Sequence, residues 1–435
     1  MPDPYPAPWA GTAHRERPDA CPGALTTHDA ADGRLARVRV PGGKLAAGQL
    51  VELAACAEEL GDGVLHLTSR GNVQLRGLAQ AMLGELADRL AEAGLLPSPS
   101  HERVRNILAS PVSGLTGGVA DVRALVGELD RAVCARAELA GLPGRFLFGL
   151  DDGRGDIAGD RIDVCWRAVT PDTGAVLLAG ADTGLRVRTG DAVAALVAAA
   201  VAFASSRGDA WQVRELVTGG GAWGSLVDAV AAEVTCHPQA PCSFTPGGEL
   251  ALGGHRQDDA RGERWCVVAG VPLGALPSAA ARSLATEAPR LVITPWRSVV
   301  LPDLEATAAA SVTRRLAADG LLVSDGEPRH RVTACIGAPG CDKARADVRA
   351  DVSELIRTAG GALAGTAAAA HFSGCERRCG KPWAAGTTVV DVLAAEEGGY
   401  RVDGRWVPTV TLAASLARAM GDGRNSTDSR EGRRS

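Results

Sequence analysis

The sequence predicts an internally duplicated α+β fold, and three observations predict it. The stretch "LHLTSRGNVQLRG" (65–77) is matched by "LVITPWRSVVLPD" (291–303), 226 residues further on, with Thr68 falling on Thr294 and Leu75 on Leu301. Helical patterns flank both copies in the same order. Two cysteine pairs near the C-terminus, by contrast, decorate the second copy alone. So long a period is not that of a solenoid and signals duplication of a whole two-layer unit. Two halves that each leave a sheet edge open can pair across a pseudo-twofold axis.

Each element follows from its pattern. The two matched stretches are β-rich and extended. "LAAGQLVELAACAEEL" (45–60) and "LGALPSAAARSLATE" (273–287) precede them as helices that each cover one face of a sheet. "LAQAMLGELADRLAEAG" (78–94) and "LEATAAASVTRRLAADG" (304–320) follow, each closed by a glycine suited to a C-cap. The order β-α-β-α is therefore expected twice. Continued at the same shift, "RNILASPVSGL" (105–115) falls on "RVTACIGAPGC" (331–341), setting Ala109 under Cys335 and Leu115 under Cys341. It also sets Arg145 under His371, Gly149 under Cys375 and Gly153 under Cys379. A duplicated scaffold with one decorated half points to a single site.

Composition bounds the function. Hydrophobic residues make up 46% of the 435 residues but aromatics only 3%, so several cores must pack small aliphatic side chains. A formal charge of -5 argues against a general nucleic-acid or membrane-surface partner. The opening "MPDPYPAPWAGTAHRERPDA" has no apolar signal region. "AVAALVAAAVAFASS" from Ala192 falls short of the roughly 20 residues of a membrane span and reads as a packed helix. A cytoplasmic location is the expectation, and it disfavours disulfides among the 11 cysteines. Cys21, Cys56, Cys134, Cys165 and Cys266 read as small buried hydrophobes. Cys236 and Cys242 in "CHPQAPC" read as buried cysteines of a linker, with metal ligation as the alternative.

The remaining four thiols carry chemistry. "CIGAPGC" separates Cys335 from Cys341 by small residues that let the backbone curl round something bulky. In "HFSGCERRCGKPW", Cys375 and Cys379 stand at i and i+4, a spacing that aims both sulfurs to one face of a helical turn. Four thiolates suit a [4Fe-4S] cluster or a structural zinc, and the loose spacing favours the cluster. Arg377, Arg378 and Lys381 can offset thiolate charge or form a solvated basic face. His371 can bond substrate, tune the cluster, ligate a separate iron or be a satisfied core histidine. Asn72, Gln74 and Arg76 alternate with Val73 and Leu75 and so share one strand face, while Asn106 is suited to shaping the turn after it.

C-x5-C followed by C-x3-C, in a repeated chain whose first half carries "LTSRGNVQLRG", resembles the sirohaem nitrite and sulfite reductase superfamily over roughly residues 18 to 420. That resemblance implies a nitrite/sulfite reductase-like fold, with two ferredoxin-like half-domains about a pseudo-twofold axis and two larger α/β domains. The implied segments are a disordered N-terminus (1–17), a first half-domain (18–100), a first α/β domain without a cluster (101–233), a second half-domain (234–325), a [4Fe-4S]-binding α/β domain (326–420) and a disordered tail (421–435). It implies Cys335, Cys341, Cys375 and Cys379 as cluster ligands, with Cys379 also bridging to sirohaem iron in reductases. Arg70, Arg105 and Arg145, together with His371, become the implied catalytic residues, while Leu147 stands where reductases carry a second active-site lysine.

"ACPGAL", "LPGRFLFGLDDG" and "TPWRSVVLPD" narrow the resemblance to the precorrin-3B synthase family. It implies an oxygen-dependent monooxygenase acting on precorrin-3A and dioxygen in cobalamin biosynthesis, hydroxylating C20 with γ-lactone formation. A [4Fe-4S] cluster and a mononuclear non-haem iron would serve it, the second iron having no legible ligand set. Three guanidinium groups suit the carboxylates round a precorrin. With no dinucleotide-binding glycine pattern, electrons are expected from a donor protein or other reductant. A sirohaem-dependent nitrite or sulfite reductase, and a non-enzymatic iron-sulfur or zinc protein, are the alternatives.

Overall fold

The computed structural model describes residues 19, 21–159, 161–217, 222–245, 247–258, 263–363, 366, 368–382 and 388–422. The expected disordered N-terminus (1–17) lies outside the described residues, as does the expected tail beyond residue 422. Gly421 and Asp422 instead close the last helix.

The first unit comprises β1 (His28–Ala30), β2 (Gly33–Val38), β3 (Lys44–Ala46), α1 (Ala47–Leu60), β4 (Val64–Leu67), β5 (Val73–Leu78) and α2 (Leu83–Glu92). α1 starts where the Ala46 N–H donates to Gln49 Oε1 at 3.0 Å, a side chain satisfying an orphan donor of the first turn. It buries Leu50, Leu53 and Leu60, each contributing roughly 1.5–3 kcal/mol. The stretch 65–77 is not one strand. Thr68 Oγ1 accepts the N–H groups of Arg70 and Asn72 at 3.3 and 3.1 Å, and Gly71 takes φ 63°, so the chain reverses between β4 and β5. The unit therefore runs β-β-β-α-β-β-α, three strands more than the sequence pattern suggests.

Next come β6 (Ile107–Ala109), α3 (Arg123–Cys134), β7 (Phe148–Asp151), β8 (Val164–Ala168), β9 (Thr173–Leu178), β10 (Ala181–Arg188), α4 (Ala192–Ser206), α5 (Val213–Val217), α6 (Ala222–Glu233) and β11 (Cys236–Pro238). They form a six-stranded sheet in the order β11-β10-β9-β8-β7-β6. Cys236 thus belongs to an edge strand of this sheet rather than a linker, because β11 pairs with β10. Cys242 is exposed and not buried. By length and composition the segment Thr189–Ser206 is apolar enough to cross a membrane. Here α4 packs against α3 and α6 and buries Leu196, Ala199 and Phe203.

The second half repeats the plan: β12 (Gly253–Arg256), β13 (Arg264–Gly270), β14 (Ala275–Pro277), α7 (Ser278–Glu287), β15 (Arg290–Ile293), β16 (Ser298–Glu305) and α8 (Ala306–Ala318). β17 (Val332–Ala334), α9 (Val348–Leu363), β18 (Ala369–Ser373), β19 (Val389–Ala394), β20 (Tyr400–Val402), β21 (Arg405–Val407) and α10 (Leu412–Asp422) complete it. The repeat extends to single hydrogen bonds: Thr294 Oγ1 accepts from Trp296 and Ser298 as Thr68 does from Arg70 and Asn72.

The two halves exchange strands. β14 closes the sheet β1-β2-β5-β4-β14, and β3 closes β12-β13-β16-β15-β3. Leu276 stands opposite Leu65, and Leu45 opposite Leu291. Each open edge is covered by the other half, α1 packs on α7, and one hydrophobic core runs through both units. The fold is α+β, built of ferredoxin-like sheet units with duplicated half-domains.

The constant shift fails beyond the half-domains. The Ser110 N–H donates to the Leu150 carbonyl as the Cys335 N–H does to that of Phe372. Ile107 pairs with Phe148 as Val332 pairs with Ala370. The structural counterparts of Cys335, His371 and Cys375 are therefore Ser110, Gly149 and Gly153, not Ala109, Arg145 and Gly149. Connecting loops of unequal length slip the register without changing strand order.

Candidate active site

β17 and β18 are adjacent parallel strands, so their C-terminal ends deliver both cysteine loops to one edge of the last sheet. Cys335 follows β17, and its sulfur accepts the Gly374 N–H at 3.2 Å. Burial raises the Cys335 thiol and so do Cys375 and Cys341, while N–H groups of Gly374 and Gly337 pull it down. Burial likewise raises Cys379, and so do Cys335, Cys375 and Cys341. The four thiols therefore lie within electrostatic reach of one another. Small residues make the crowding feasible: a Cβ on Gly374 would stand 2.7 Å from that of Ala344, and Gly337 combines φ 70° with a 2.8 Å approach to Val348. Cys375 and Cys379 sit in a turn rather than a helix, with Arg378 left-handed at φ 47°.

This donor set is wider than a single ion requires. Four thiolates on zinc, at about 2.3 Å each, would bring their sulfurs within about 4 Å of one another. Among the described residues, the group of at least three potential ligands lying wholly within 4.8 Å is Asp151, Asp152 and Asp156. That acidic set occupies, in the first large sheet, the place the cysteine loops occupy in the last. It is a weak candidate site, consistent with a single metal ion. Asp151 already accepts the N–H groups of Gly153, Gly155, Ile157 and Ala158. Asp152 binds Arg154, and Asp156 accepts from Ser110. Burial, then Asp151, pushes Asp156 up to about 7.

Beside the second cysteine loop lies a cavity of about 210 Å³ lined by Ser69, Arg70, Arg145, Leu147, Arg161, Gln212, Arg214, Arg378, Gly380 and Lys381. Arg70 comes from the β4–β5 turn, and its Nη1 donates to the Gly144 carbonyl at 3.3 Å. Asn106 Nδ2 donates to the same carbonyl at 3.0 Å, fixing the loop that presents Arg145. The Arg145 guanidinium stacks 4.8 Å over the Trp211 ring. Arg378 and Lys381 reach Asp391 at 2.7 and 3.1 Å, so one carboxylate orients two cations. Leu147 supplies the apolar wall.

Two residues expected here are elsewhere. Arg105 is 3% exposed and holds both oxygens of Asp130 at 2.7 Å, with a further bond to the Leu95 carbonyl. It does not line the cavity, because Asp130 on α3 captures it. His371 is sealed within β18 at 0% exposure. Its Nδ1 meets Thr333 Oγ1 at 2.9 Å, whereas Nε2 has no hydrogen-bond partner. Burial, then the Arg297 charge, pushes it down to about 3, so the ring is neutral. Of the shared face of β5, Asn72 bonds Val40 and Asn106, and Arg76 bonds Asp32 and the Gly340 carbonyl. These bonds support the loops around the site.

Sequence reasoning missed several groups. Arg161, Gln212 and Arg214 reach the cavity from segments whose pattern gives no sign of it. Cys21 accepts from Arg37 at 3.2 Å. Burial raises its thiol, but Arg37, Arg39 and Arg70 together bring it below the usual range. The arginines of β2 and just beyond it, Arg37 and Arg39, are the sequence signal for this lowered thiol.

Known proteins resemble this chain in one half-domain, in sequence and in fold. Residues 28–93 match the nitrite/sulfite reductase ferredoxin-like half domain. A precorrin-3B synthase of Sinorhizobium sp is 27% identical over 391 residues, covering 88% of this chain and 82% of its own. A ferredoxin–nitrite reductase of Synechococcus elongatus is 36% identical over 127 residues, 28% of this chain and 25% of that protein. The NirA protein of Mycobacterium tuberculosis superposes with a TM-score of 0.71 at 18% identity, covering 92% of this chain and 82% of that one, a likeness of fold. Residues 28–93 thus form a segment similar to the nitrite/sulfite reductase ferredoxin-like half domain, and the chain as a whole shares the fold of NirA.

Proposed function

We propose that this chain is an oxidoreductase that acts on or through a tetrapyrrole seated against the basic cavity, with a [4Fe-4S] cluster held by Cys335, Cys341, Cys375 and Cys379. One observation carries the reading: a cavity bearing six cationic side chains abuts the loop of Cys375 and Cys379. The cluster reading is supported by the electrostatic coupling of Cys335 and Cys379 to the other thiols of the set. When bound, the cluster supplies single electrons. Arg70 and Arg145 bind anionic groups, Leu147 excludes water from one wall, and Arg378 with Lys381 holds charge at the cluster side.

Two finer readings divide on whether the tetrapyrrole is cofactor or substrate. Sirohaem-dependent reduction of nitrite or sulfite is supported by the nitrite reductase relative and by the cavity itself. Arg161, Arg214, Arg378 and Lys381 more than replace the lysine lost at Leu147, and so weaken the argument from that residue alone. Oxygen-dependent conversion of precorrin-3A is supported by the precorrin-3B synthase relative, whose similarity extends over most of both chains. In that reading the arginines hold peripheral carboxylates by paired hydrogen bonds. The acidic group Asp151, Asp152 and Asp156 offers a place for the second iron, with most of its lone pairs already engaged.

Anaerobic purification with a visible spectrum separates the two. Sirohaem bands, with reduction of nitrite or sulfite by a supplied reductant, establish the first. A cluster spectrum without tetrapyrrole bands, with oxygen-dependent consumption of precorrin-3A, establishes the second. Neither activity in a cluster-loaded protein sinks both.

A further inference from the structure

Three main-chain carbonyls beside the proposed ligand cysteines each accept from a buried or largely buried arginine. Arg349 Nε donates to Cys335 O at 3.3 Å, Arg76 Nη2 to Gly340 O at 2.7 Å and Arg297 Nη2 to Gly380 O. Arg76 is neutralised by Asp32. Arg297 is different. Like Arg349 it forms no ion pair with a carboxylate among the described residues, but it is the more buried of the two, at 7% exposed. It also holds φ 62°, a region that side-chain-bearing residues avoid and that persists where surroundings enforce it.

The duplication shows that the turn takes this conformation in both copies and does not require an arginine to adopt it. Arg297 occupies the position of Gly71, φ 63°, in the first copy, and both donate N–H to the threonine carbonyl three residues earlier. The first copy solves the turn with glycine, whereas the second accepts a left-handed arginine. Its side chain threads between two glycines: a Cβ on Gly274 would fall 2.5 Å from Arg297 Cδ, and one on Gly380 2.7 Å from Nη2. Burial and the neighbouring Arg349 push Arg297 down to about 10, so it still carries its charge at neutral pH.

We propose that Arg297 is a positioning residue that fixes the Cys379 loop through the Gly380 carbonyl and serves as a buried countercharge to the thiolate-bound cluster. The proposal rests on the cluster reading above. A fixed cation stabilises the reduced cluster, which carries one more negative charge, and so raises the midpoint potential; net charge and hydrogen bonding are the levers that set such potentials.

The test uses the full-length holoprotein, purified without oxygen, as wild type, Arg297→Gly and Arg297→Lys. Glycine restores the residue of the first copy and relieves the backbone, so folding is retained. Iron and sulfide are counted, and midpoint potentials are read by redox titration of the reduced-cluster electron paramagnetic resonance signal. The expected result is an intact cluster in Arg297→Gly with a midpoint shifted to more negative potential, and a return toward wild type in Arg297→Lys. An unmoved midpoint in Arg297→Gly, or an equal shift in Arg297→Lys, overturns the countercharge. Wild-type protein without sulfide overturns the cluster reading itself, and is told apart by being seen before any variant is made.

Discussion

Replacing Arg105 by methionine tests the assignment of a buried cation to scaffold rather than site. Arg105 makes two 2.7 Å bonds to Asp130 and one of 3.3 Å to the Leu95 carbonyl, at 3% exposure. Breaking a buried ion pair by removing one partner costs roughly 3–5 kcal/mol. The Asp130 side chain keeps 19% exposure, so water relieves part of that, and the expected loss is about 3 kcal/mol. The double variant Arg105→Met with Asp130→Leu should recover most of it, because no charge is then stranded. Urea unfolding of wild type, the two single variants Arg105→Met and Asp130→Leu, and the double variant gives the coupling, and titration with a polycarboxylate porphyrin reads the cavity. Unchanged porphyrin affinity with the predicted stability loss supports a scaffold role. Unchanged stability with affinity lost tenfold or more would refute the reasoning, since Arg105 would then serve the ligand directly.

Further outcomes follow from other residues. Arg70→Met should weaken binding of the same porphyrin by about tenfold, one charged hydrogen bond being worth roughly 1.5–3 kcal/mol; equal binding would remove Arg70 from the site. Gly43→Ala should prevent soluble expression, as its Cβ would fall 1.9 Å from the Ile293 carbonyl at φ 68°, where the two half-domains interlock; a stable variant would contradict that interlock. Asp163 is pushed up to about 7, chiefly by burial. Its folded value lies above the unfolded one, so its contribution is fully present below about pH 4 and lost as pH rises through about 7. Asp163→Asn should therefore flatten the fall in melting temperature between about pH 4 and about pH 7, and an unchanged slope would count against it.

Legibility in the sequence followed the locality of the interactions. The threonine turns at Thr68 and Thr294 and the caps at Gly94 and Gly320 recur at one shift because they sit inside elements of fixed length. Their splitting of one extended pattern into two strands was not legible, since a tight turn within β-rich residues leaves the alternation nearly intact. The four thiols stood out by spacing, and their loops do converge. Arg105 went astray because nothing local announces Asp130, 2.7 Å away in space but 25 residues on in sequence. Arg161 and Arg214 enter the cavity, and Arg297 the cysteine loop, only through tertiary packing. β11 was hidden by its three-residue length and its distance from β10.

The most direct test of the central claim is a count of iron, acid-labile sulfide and zinc on one anaerobically purified sample, repeated for Cys379→Ser. The account predicts about four sulfides with at least about four irons per chain in the wild type, and loss of both in the variant. Zinc without sulfide, or iron and sulfide unaffected by the substitution, would contradict it.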